Sequence, residues 1–197
     1  MNRPVRAIMV AMAMAIAMAV IAMSVDVVNI FQFVSAGDRY ERAIQGLKSA
    51  KSEESRFYAL NSAAKESFIA GNTNDAQKYA EELLLLLPNY KENWNYGNAV
   101  QDYNLVFGRI AVANGDIDNA KRFLLAAGRS PGSPQMNSFG PNMSLAKDLL
   151  EHGEKKVVLE FFELCRKFWS GDVGKLDSWS STVKRGGVPS FGVNLIF

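Results

Sequence analysis

The sequence predicts an all-α protein, with helical-hairpin repeats in about three units over residues 37–197 and an N-terminal membrane helix or signal segment within residues 1–35. Three observations lead to this prediction. An uncharged run occupies the start of the chain, helical periodicity with few strand signals fills the remainder, and a spacing of small residues and glycines recurs there. A chain of 197 residues is long enough to bury one core of ordinary size.

Composition limits the classes of function. Hydrophobic residues make up 48% of the chain and charged residues 21%, so a folded domain is expected rather than disorder. Arg3 and Arg6 precede all 20 acidic residues, and the chain after them is formally neutral, so no nucleic-acid partner is predicted. Cys165 is the one cysteine, which excludes an intramolecular disulfide, and its apolar neighbours indicate a buried, unreactive thiol.

The first element is the uncharged run of residues 7–23, which follows two arginines as in a signal peptide or a membrane anchor. An uncleaved anchor is favoured because apolar character resumes after the run, so that a tilted helix over residues 7–34 spans the bilayer. Cleavage near Ser24, followed by export, is the alternative. In both cases the basic end stays in the cytoplasm and the bulk of the chain lies outside it, in the periplasm if the cell is bacterial.

The remainder of the chain is predicted to be helical. Eight helices are expected, near residues 38–50, 53–70, 73–87, 93–114, 117–128, 143–152, 154–169 and 173–185. Five consecutive leucines precede Pro88, which ends the third helix because the residue before a proline avoids the α-helical region. The leucines expected to pack against neighbouring helices are Leu83, Leu84, Leu86 and Leu87, with Leu85 at the surface.

A pattern of small residues recurs at shifts of 44 and then 38 residues. The equivalent positions in the three copies are Ala64, Gly108 and Ala146, then Gly71, Gly115 and Gly153, and then Ala76, Ala120 and Val158. A small residue lets the paired helix approach closely, and each glycine favours the positive φ that ends a helix. Asn72, Thr73 and Asp116 are candidates to cap the helix that follows. A hairpin of this kind cannot bury its apolar face alone, so we expect the copies to stack on one continuous core.

This pattern resembles the tetratricopeptide repeat family over about residues 53–169. The positions at the family's spacing are Leu60, Ala64, Gly71, Ala76 and Pro88 in the first copy, Gly108, Gly115, Ala120 and Ala127 in the second, and Ala146 and Gly153 in the third. The shifts are longer than the family's repeat of about 34 residues, and most of its aromatic positions are lost. The linkers are therefore longer, notably the proline-glycine loop over residues 128–142.

The resemblance implies that the first helices of the units line a concave groove that holds an extended peptide. The residues that would line this groove are Tyr58, Asn61, Lys65, Phe68, Asp102, Leu105, Arg109, Val112 and Lys147. Lys65, Arg109 and Lys147 occupy the same position in the three units, and as a column of cations they would hold an acidic side chain or the C-terminal carboxylate of a partner. Chance is the competing explanation, because Lys and Arg are common on exposed helices.

The end of the chain has the composition of a cap on the last repeat. Trp179 and Val183 are four residues apart, as on one face of a short helix that Gly186 and Gly187 end. The apolar segment 191–197 is expected to dock on the last repeat and cover its exposed end. A strand that faces a partner is the alternative for this segment.

No motif of a catalytic or cofactor site is present, so no enzyme, cofactor or metal is predicted. His152, the one histidine, precedes Gly153 at a predicted helix end, where the helix dipole favours a cation. The leading hypothesis is a non-enzymatic protein-interaction or scaffold module, tethered to the membrane on its extracytoplasmic side. One alternative is a cell-envelope enzyme, or a subunit of one, that uses carboxylates in a cleft between helices. Another is a structural subunit of a membrane complex, whose partner helices cover Asp26, Asn29 and Gln32.

Overall fold

The computed structural model describes residues 37–196, and these form nine α-helices and two 3₁₀ turns without a β-strand, which confirms the all-α class. The helices are α1 (37–49), α2 (Glu53–Ile69), α3 (Thr73–Leu86), α4 (Tyr96–Ala113), α5 (Ile117–Gly128), α6 (Pro134–Phe139), α7 (Ser144–Glu151), α8 (Lys155–Cys165) and α9 (Lys175–Lys184), and the 3₁₀ turns are Leu87–Tyr90 and Gly192–Leu195. The predicted anchor or signal segment, residues 1–35, lies outside the described residues. Within residues 37–196, no helix combines the length and the hydropathy needed to cross a bilayer.

Three pairs of consecutive helices pack together: α2 with α3, α4 with α5, and α7 with α8. In each pair the first helix is followed by a glycine with positive φ, which is 82° at Gly71, 76° at Gly115 and 83° at Gly153. The N–H of the residue after each glycine donates to the carbonyl five positions earlier, over 2.8, 2.8 and 2.9 Å respectively. The same C-terminal cap therefore occurs three times, and the three predicted bends are confirmed.

The helix that follows each bend begins at a polar residue. Asp116 caps α5, because its side chain accepts a hydrogen bond from the N–H of Asn119 at 3.1 Å. Asn72 stands at the equivalent position before α3, but its side chain accepts no hydrogen bond from that helix. The predicted side-chain cap is thus confirmed for the second hairpin and wrong for the first.

Small residues lie where helices cross. The fully buried members of the pattern are Ala64, Ala76, Ala120, Ala146 and Val158. A Cβ placed on Gly108 would lie 2.2 Å from Leu145 Cδ2 and 3.1 Å from Phe123 Cβ. Gly108 is in α4, and these neighbours belong to α7 and α5, which both pack against α4. The absence of a side chain at residue 108 is therefore what lets three helices meet there.

The leucine run is only partly buried. Leu83 and Leu87 belong to the core, Leu86 is half-buried, and Leu85 is exposed as expected. Leu84 is 41% exposed, so the prediction that it packs against a neighbouring helix was wrong. The reason is that α3 buries a single stripe, three or four residues apart, and Leu84 lies beside that stripe. The α-helix itself ends before Pro88, and the chain passes through the proline as a 3₁₀ turn.

The proline-glycine loop contains a short helix, α6, that the sequence analysis did not predict. Ser133 begins it, with its Oγ accepting from the N–H of Met136 at 3.0 Å, and Pro134 occupies its first turn. The loop is held against the start of α4, because Ser130 Oγ donates to the carbonyl of Gly97 at 2.7 Å. A Cβ on Gly97 would lie 1.8 Å from the carbonyl oxygen of the loop's own Gly132. This close approach places α6 beside α4.

The C-terminal region closes the last hairpin, as predicted. Trp179 and Val183 are buried on one face of α9 and belong to the same hydrophobic cluster as Phe162 and Phe191. The ring of Trp179 meets that of Phe191 edge to face, with 5.0 Å between centroids. The final segment is docked, and its described residues, up to Ile196, form a 3₁₀ turn rather than the alternative strand.

Candidate functional site

The residues predicted to line a groove gather around two cavities on consecutive turns of α2 and α4. The first, which we call the amide cavity, has a volume of about 210 Å³ and is lined in part by Tyr58, Asn61 and Asp102. The second, which we call the apolar pocket, has a volume of about 20 Å³ and is lined in part by Lys65, Phe68, Leu105 and Arg109. Seven of the nine predicted residues therefore line one cavity or the other.

Two predicted groove residues lie elsewhere. Val112 is partly buried against the hydrophobic cluster of the C-terminal half. Lys147 pairs with Glu151 one turn further along α7, over 2.5 Å, and lines neither cavity. The predicted column of three cations is thus reduced to Lys65 and Arg109 at the cavities themselves.

Each of these two cations already has a carboxylate partner within the chain. Lys65 Nζ lies 3.1 Å from Asp102 Oδ2. Arg109 Nε lies 2.7 Å from Asp148 Oδ2, and its guanidinium is 4.7 Å from the centre of the Phe68 ring. A partner's carboxylate would reach either cation only by displacing the acid that now binds it.

The pair of Lys65 and Asp102 lies at the boundary between the two cavities. Asp102 is 4% exposed, and burial raises its pKa, although the Lys65 cation acts in the opposite direction. Among the described residues that line the amide cavity, Asp102 is the one acid. The wall of this cavity is therefore formally neutral only as long as Lys65 stays in place.

Amide side chains dominate the wall of the amide cavity. They are Asn61, Asn95, Asn98, Gln101 and Gln135. Asn98 connects two of the others, because its Nδ2 donates to Asn95 Oδ1 at 2.9 Å and to Gln135 Oε1 at 3.1 Å. Its Oδ1 accepts from Ser133 Oγ at 2.6 Å. This network joins the start of α4 to α6 and fixes the positions of the polar groups between them.

Two amide atoms on this wall have no hydrogen-bond partner among the described residues. They are Asn61 Oδ1, an acceptor, and Gln101 Nε2, a donor. Asn61 is 7% exposed and Gln101 is 4% exposed. The orientation of the Gln101 amide is fixed, since its Oε1 accepts from the N–H of Asn142 at 3.0 Å.

Aromatic side chains line another part of the amide cavity. Trp94 is 58% exposed, and its ring stacks on that of Tyr58 with 5.8 Å between centroids. The hydroxyl of Tyr58 accepts from Asn93 Nδ2 at 2.7 Å and donates to Glu54 Oε1 at 3.0 Å. The two rings thus form a fixed apolar surface that solvent can reach.

The apolar pocket is small because the end of the chain lies in it. Leu195 and Ile196 form part of its wall. The preceding residue, Asn194, is held by three hydrogen bonds: its Nδ2 donates to the carbonyls of Phe139 at 2.9 Å and Pro141 at 3.1 Å, and its own carbonyl accepts from the N–H of Met143 at 2.7 Å. The tail therefore occupies part of the predicted groove, besides covering the last hairpin.

The other residues considered for chemistry have structural surroundings. Cys165 is fully buried, and burial raises the pKa of its thiol well above the ordinary value. His152 ends α7, with Nδ1 2.8 Å from the carbonyl oxygen of Asp148. Within residues 37–196, no group of three or more His, Cys, Asp and Glu side chains is arranged to hold a metal ion.

Eight residues of the amide cavity were not predicted from the sequence: Ser62, Trp94, Asn95, Asn98, Gln101, Gln135, Met136 and Gly140. Gln101 had a detectable signal, because Asn95, Asn98 and Gln101 recur every three residues and fall near one face of α4. Gln135 and Met136 had none, since they reach the cavity through the short helix inside a loop. A comparison of the chain with known protein families, with curated protein sequences and with solved structures found no match.

Proposed function

We propose that this chain is a non-enzymatic interaction module, tethered by its N-terminal segment on the extracytoplasmic side of a membrane. In this proposal the three helical hairpins form a divergent array of the tetratricopeptide type. The first helices, α2 and α4, present the amide cavity and the apolar pocket to a segment of a partner protein. Capture of that segment lets the module recruit or organise its partner.

The observation that carries this proposal is the convergence of residues chosen from the repeat register alone. Seven of the nine line two adjoining cavities, although they come from two helices, α2 and α4, between which α3 lies in the chain. The three glycine bends with the same hydrogen bonds support the repeat assignment. The apolar stretch over residues 7–34, in which Asp26 is the one charged residue, supports the membrane tether.

The chemistry of the two cavities favours neutral contacts over a carboxylate clamp. Lys65 and Arg109 are already paired with Asp102 and Asp148. The carboxylate of an acidic partner would have to replace one of these ion pairs, so its net gain in binding free energy would be small. The unpaired groups at the site are amides, and the exposed ring is that of Trp94. An interaction led by amide hydrogen bonds and aromatic contact fits these groups better than one led by charge.

Site-specific photocrosslinking in the full-length chain tests this function. A benzophenone amino acid replaces Trp94 at the amide cavity or Ile69 at the apolar pocket, both of which are exposed. The control replaces Leu85, an exposed residue of α3 that lines neither cavity. Irradiation of intact cells is expected to give one discrete protein adduct from both cavity positions and none from the control.

Equal labelling at all three positions, or no adduct at any of them, would contradict the proposal. The tether is tested in the same cells. The chain is expected to stay with the membrane after alkaline extraction and to be digested by protease added from the extracytoplasmic side. Recovery of the whole chain in the cytoplasmic fraction would exclude that location.

A further inference from the structure

The amide cavity contains an acceptor and a donor that the described part of the chain leaves unpaired. Asn61 Oδ1 and Gln101 Nε2 are both buried, and neither has a hydrogen-bond partner there. A buried polar atom without a partner lowers the stability of a fold, and native structures hold few of them. Both residues line the amide cavity, so a group that enters the cavity can complete the acceptor and the donor once these side chains turn toward it.

The group that completes them must both donate and accept a hydrogen bond. It must also be uncharged, because the one carboxylate on the wall is paired with Lys65 and the other lining residues carry no formal charge. Burying an ion against such a wall is unfavourable, since nothing neutralises it. A water molecule and a secondary amide, with its N–H and C=O, both meet these requirements, and the aromatic surface of the same cavity favours the amide.

The aromatic surface specifies the neighbour of that amide. Trp94 and Tyr58 stack at the same cavity and leave a ring face open to solvent. Stacked aromatic residues beside amide hydrogen-bonding groups are how peptide-binding domains hold extended chains that carry proline or another flat apolar group. The volume of about 210 Å³ has room for a short piece of peptide and not for a folded element.

We propose that the amide cavity binds the main chain of an uncharged, extended partner segment. A peptide group of that segment pairs with Asn61 and Gln101, and an apolar ring beside it stacks on Trp94. This inference rests on the proposed function and deepens it, since it specifies which chemistry of the partner is recognised. Recognition is then independent of the cation column.

Titration with short peptides tests the inference in vitro on the full-length chain in detergent. The probes are N-acetylated, C-amidated pentapeptides made of Gly, Ser, Asn and Pro. Trp94 is the exposed tryptophan, whereas Trp169 and Trp179 are buried, so the change in emission on binding reports mainly on the cavity. Saturable binding is expected for proline-containing peptides, and matched peptides with an added Asp or a free C-terminal carboxylate are expected to bind no more tightly.

Two substitutions separate binding from stability. Asn61→Leu removes the unpaired acceptor with little change of size, so it is expected to leave the melting temperature unchanged or higher and to weaken peptide binding roughly tenfold. Ser67→Ala is the matched control, since Ser67 Oγ is also buried and unpaired but does not line the amide cavity. It is expected to have the same effect on the melting temperature and none on binding.

A third variant keeps the test informative if Asn61→Leu is unstable. Trp94→Ala changes an exposed side chain, and calorimetry is then expected to show the loss of peptide binding with the melting temperature unchanged. Binding of acidic peptides alone, of N-acetylglucosamine oligomers alone, or of no probe at all would overturn the inference. Protein adducts at Trp94 or Ile69 in cells would still stand in each of these cases, so failure here differs from failure of the proposed function.

Discussion

The amide cavity and the apolar pocket lie on consecutive turns of the same two helices. Residues near the C-terminus help to fill the apolar pocket but not the amide cavity. In the apolar pocket, Leu195 and Ile196 supply part of the wall, and Arg109 is paired with Asp148 and stacked on Phe68. The amide cavity is lined by no tail residue up to Ile196, and two amide atoms there lack partners among the described residues. One pocket is about 20 Å³ in volume and the other about 210 Å³.

This difference separates a surface used for folding from one available for binding. Where the tail covers α4 and α7, its apolar side chains contribute to stability as those of a core do. The amide cavity, which residues 191–196 do not line, keeps neutral hydrogen-bonding groups without partners among the described residues, at a cost in stability. Function is expected at sites where a protein departs from its most stable arrangement, and the two unpaired amides at one cavity are such a departure.

The largest expected effect comes from breaking the ion pair of Lys65 and Asp102, which lies between the two cavities. Lys65→Met leaves the Asp102 carboxylate buried without a partner and is expected to lower the free energy of unfolding by about 3 kcal/mol. Asp102→Asn removes the buried charge and leaves a lysine that can turn to solvent, so it is expected to change stability by less than about 1 kcal/mol.

Chemical denaturation of the two single variants and the double variant measures this asymmetry. The double variant is expected to recover most of the loss seen in Lys65→Met, since no buried ion remains. Equal losses in both single variants would show that the pair contributes through its geometry rather than through burial of the acid.

A smaller effect is expected from releasing the tail. Asn194→Ala removes the two side-chain hydrogen bonds to Phe139 and Pro141, and at about 1 kcal/mol each the loss is about 2 kcal/mol. Amide hydrogen exchange at Met143, whose N–H is bonded to the tail, is expected to become faster as the apolar pocket opens. Val193→Ala, at an exposed neighbour, is the control. Unchanged protection of the Met143 amide would show that the tail is held by other contacts.

The smallest effect expected is a pair of opposite pH dependences. Burial raises the pKa of Asp102, so its contribution to stability is present at low pH and is lost as the pH rises through the raised value. A hydrogen bond from Arg56 lowers the pKa of Glu82, which joins α3 to α2, so its contribution is present above the ordinary value and is lost as the pH falls through the lowered one.

Melting temperatures measured between about pH 3 and 7 test how the contributions of Asp102 and Glu82 to stability depend on pH. Relative to the wild type, Asp102→Asn is expected to gain stability as the pH rises, and Glu82→Gln is expected to lose it. If the melting temperatures of both variants changed with pH in the same direction relative to the wild type, the pKa values of Asp102 and Glu82 would not be shifted in opposite directions. The comparison distinguishes the acid at the cavity boundary from one that only links a hairpin.

The fold followed from local patterns in the sequence to a large extent. The bends at Gly71, Gly115 and Gly153 were predictable because a helix end with positive φ favours glycine wherever the chain stands. The failure at Leu84 has the opposite cause. Both sides of a leucine-rich helix look apolar in sequence, and only the position of the neighbouring helices decides which side is covered.

The sequence predicted which face of the helices carries the candidate site, but it did not predict which side chains of the site interact with one another. The repeat register indicated Asn61, Lys65 and Arg109, which line the cavities, but it described the two cations as free. Their partners are far along the chain, as with Arg109 and Asp148, which are 39 residues apart. Gln135 reaches the cavity only because its loop is held against Gly97.

Local sequence patterns were enough to predict eight of the nine described helices, the glycine bends and the small residues at the helix crossings, because these depend on backbone preference and side-chain size within a few positions. The tertiary structure alone decided which charges are neutralised, which cavity the tail fills and which amides are left unpaired. Those outcomes depend on distances between segments that a local pattern does not contain, since each requires two or three distant elements to pack before the groups can meet.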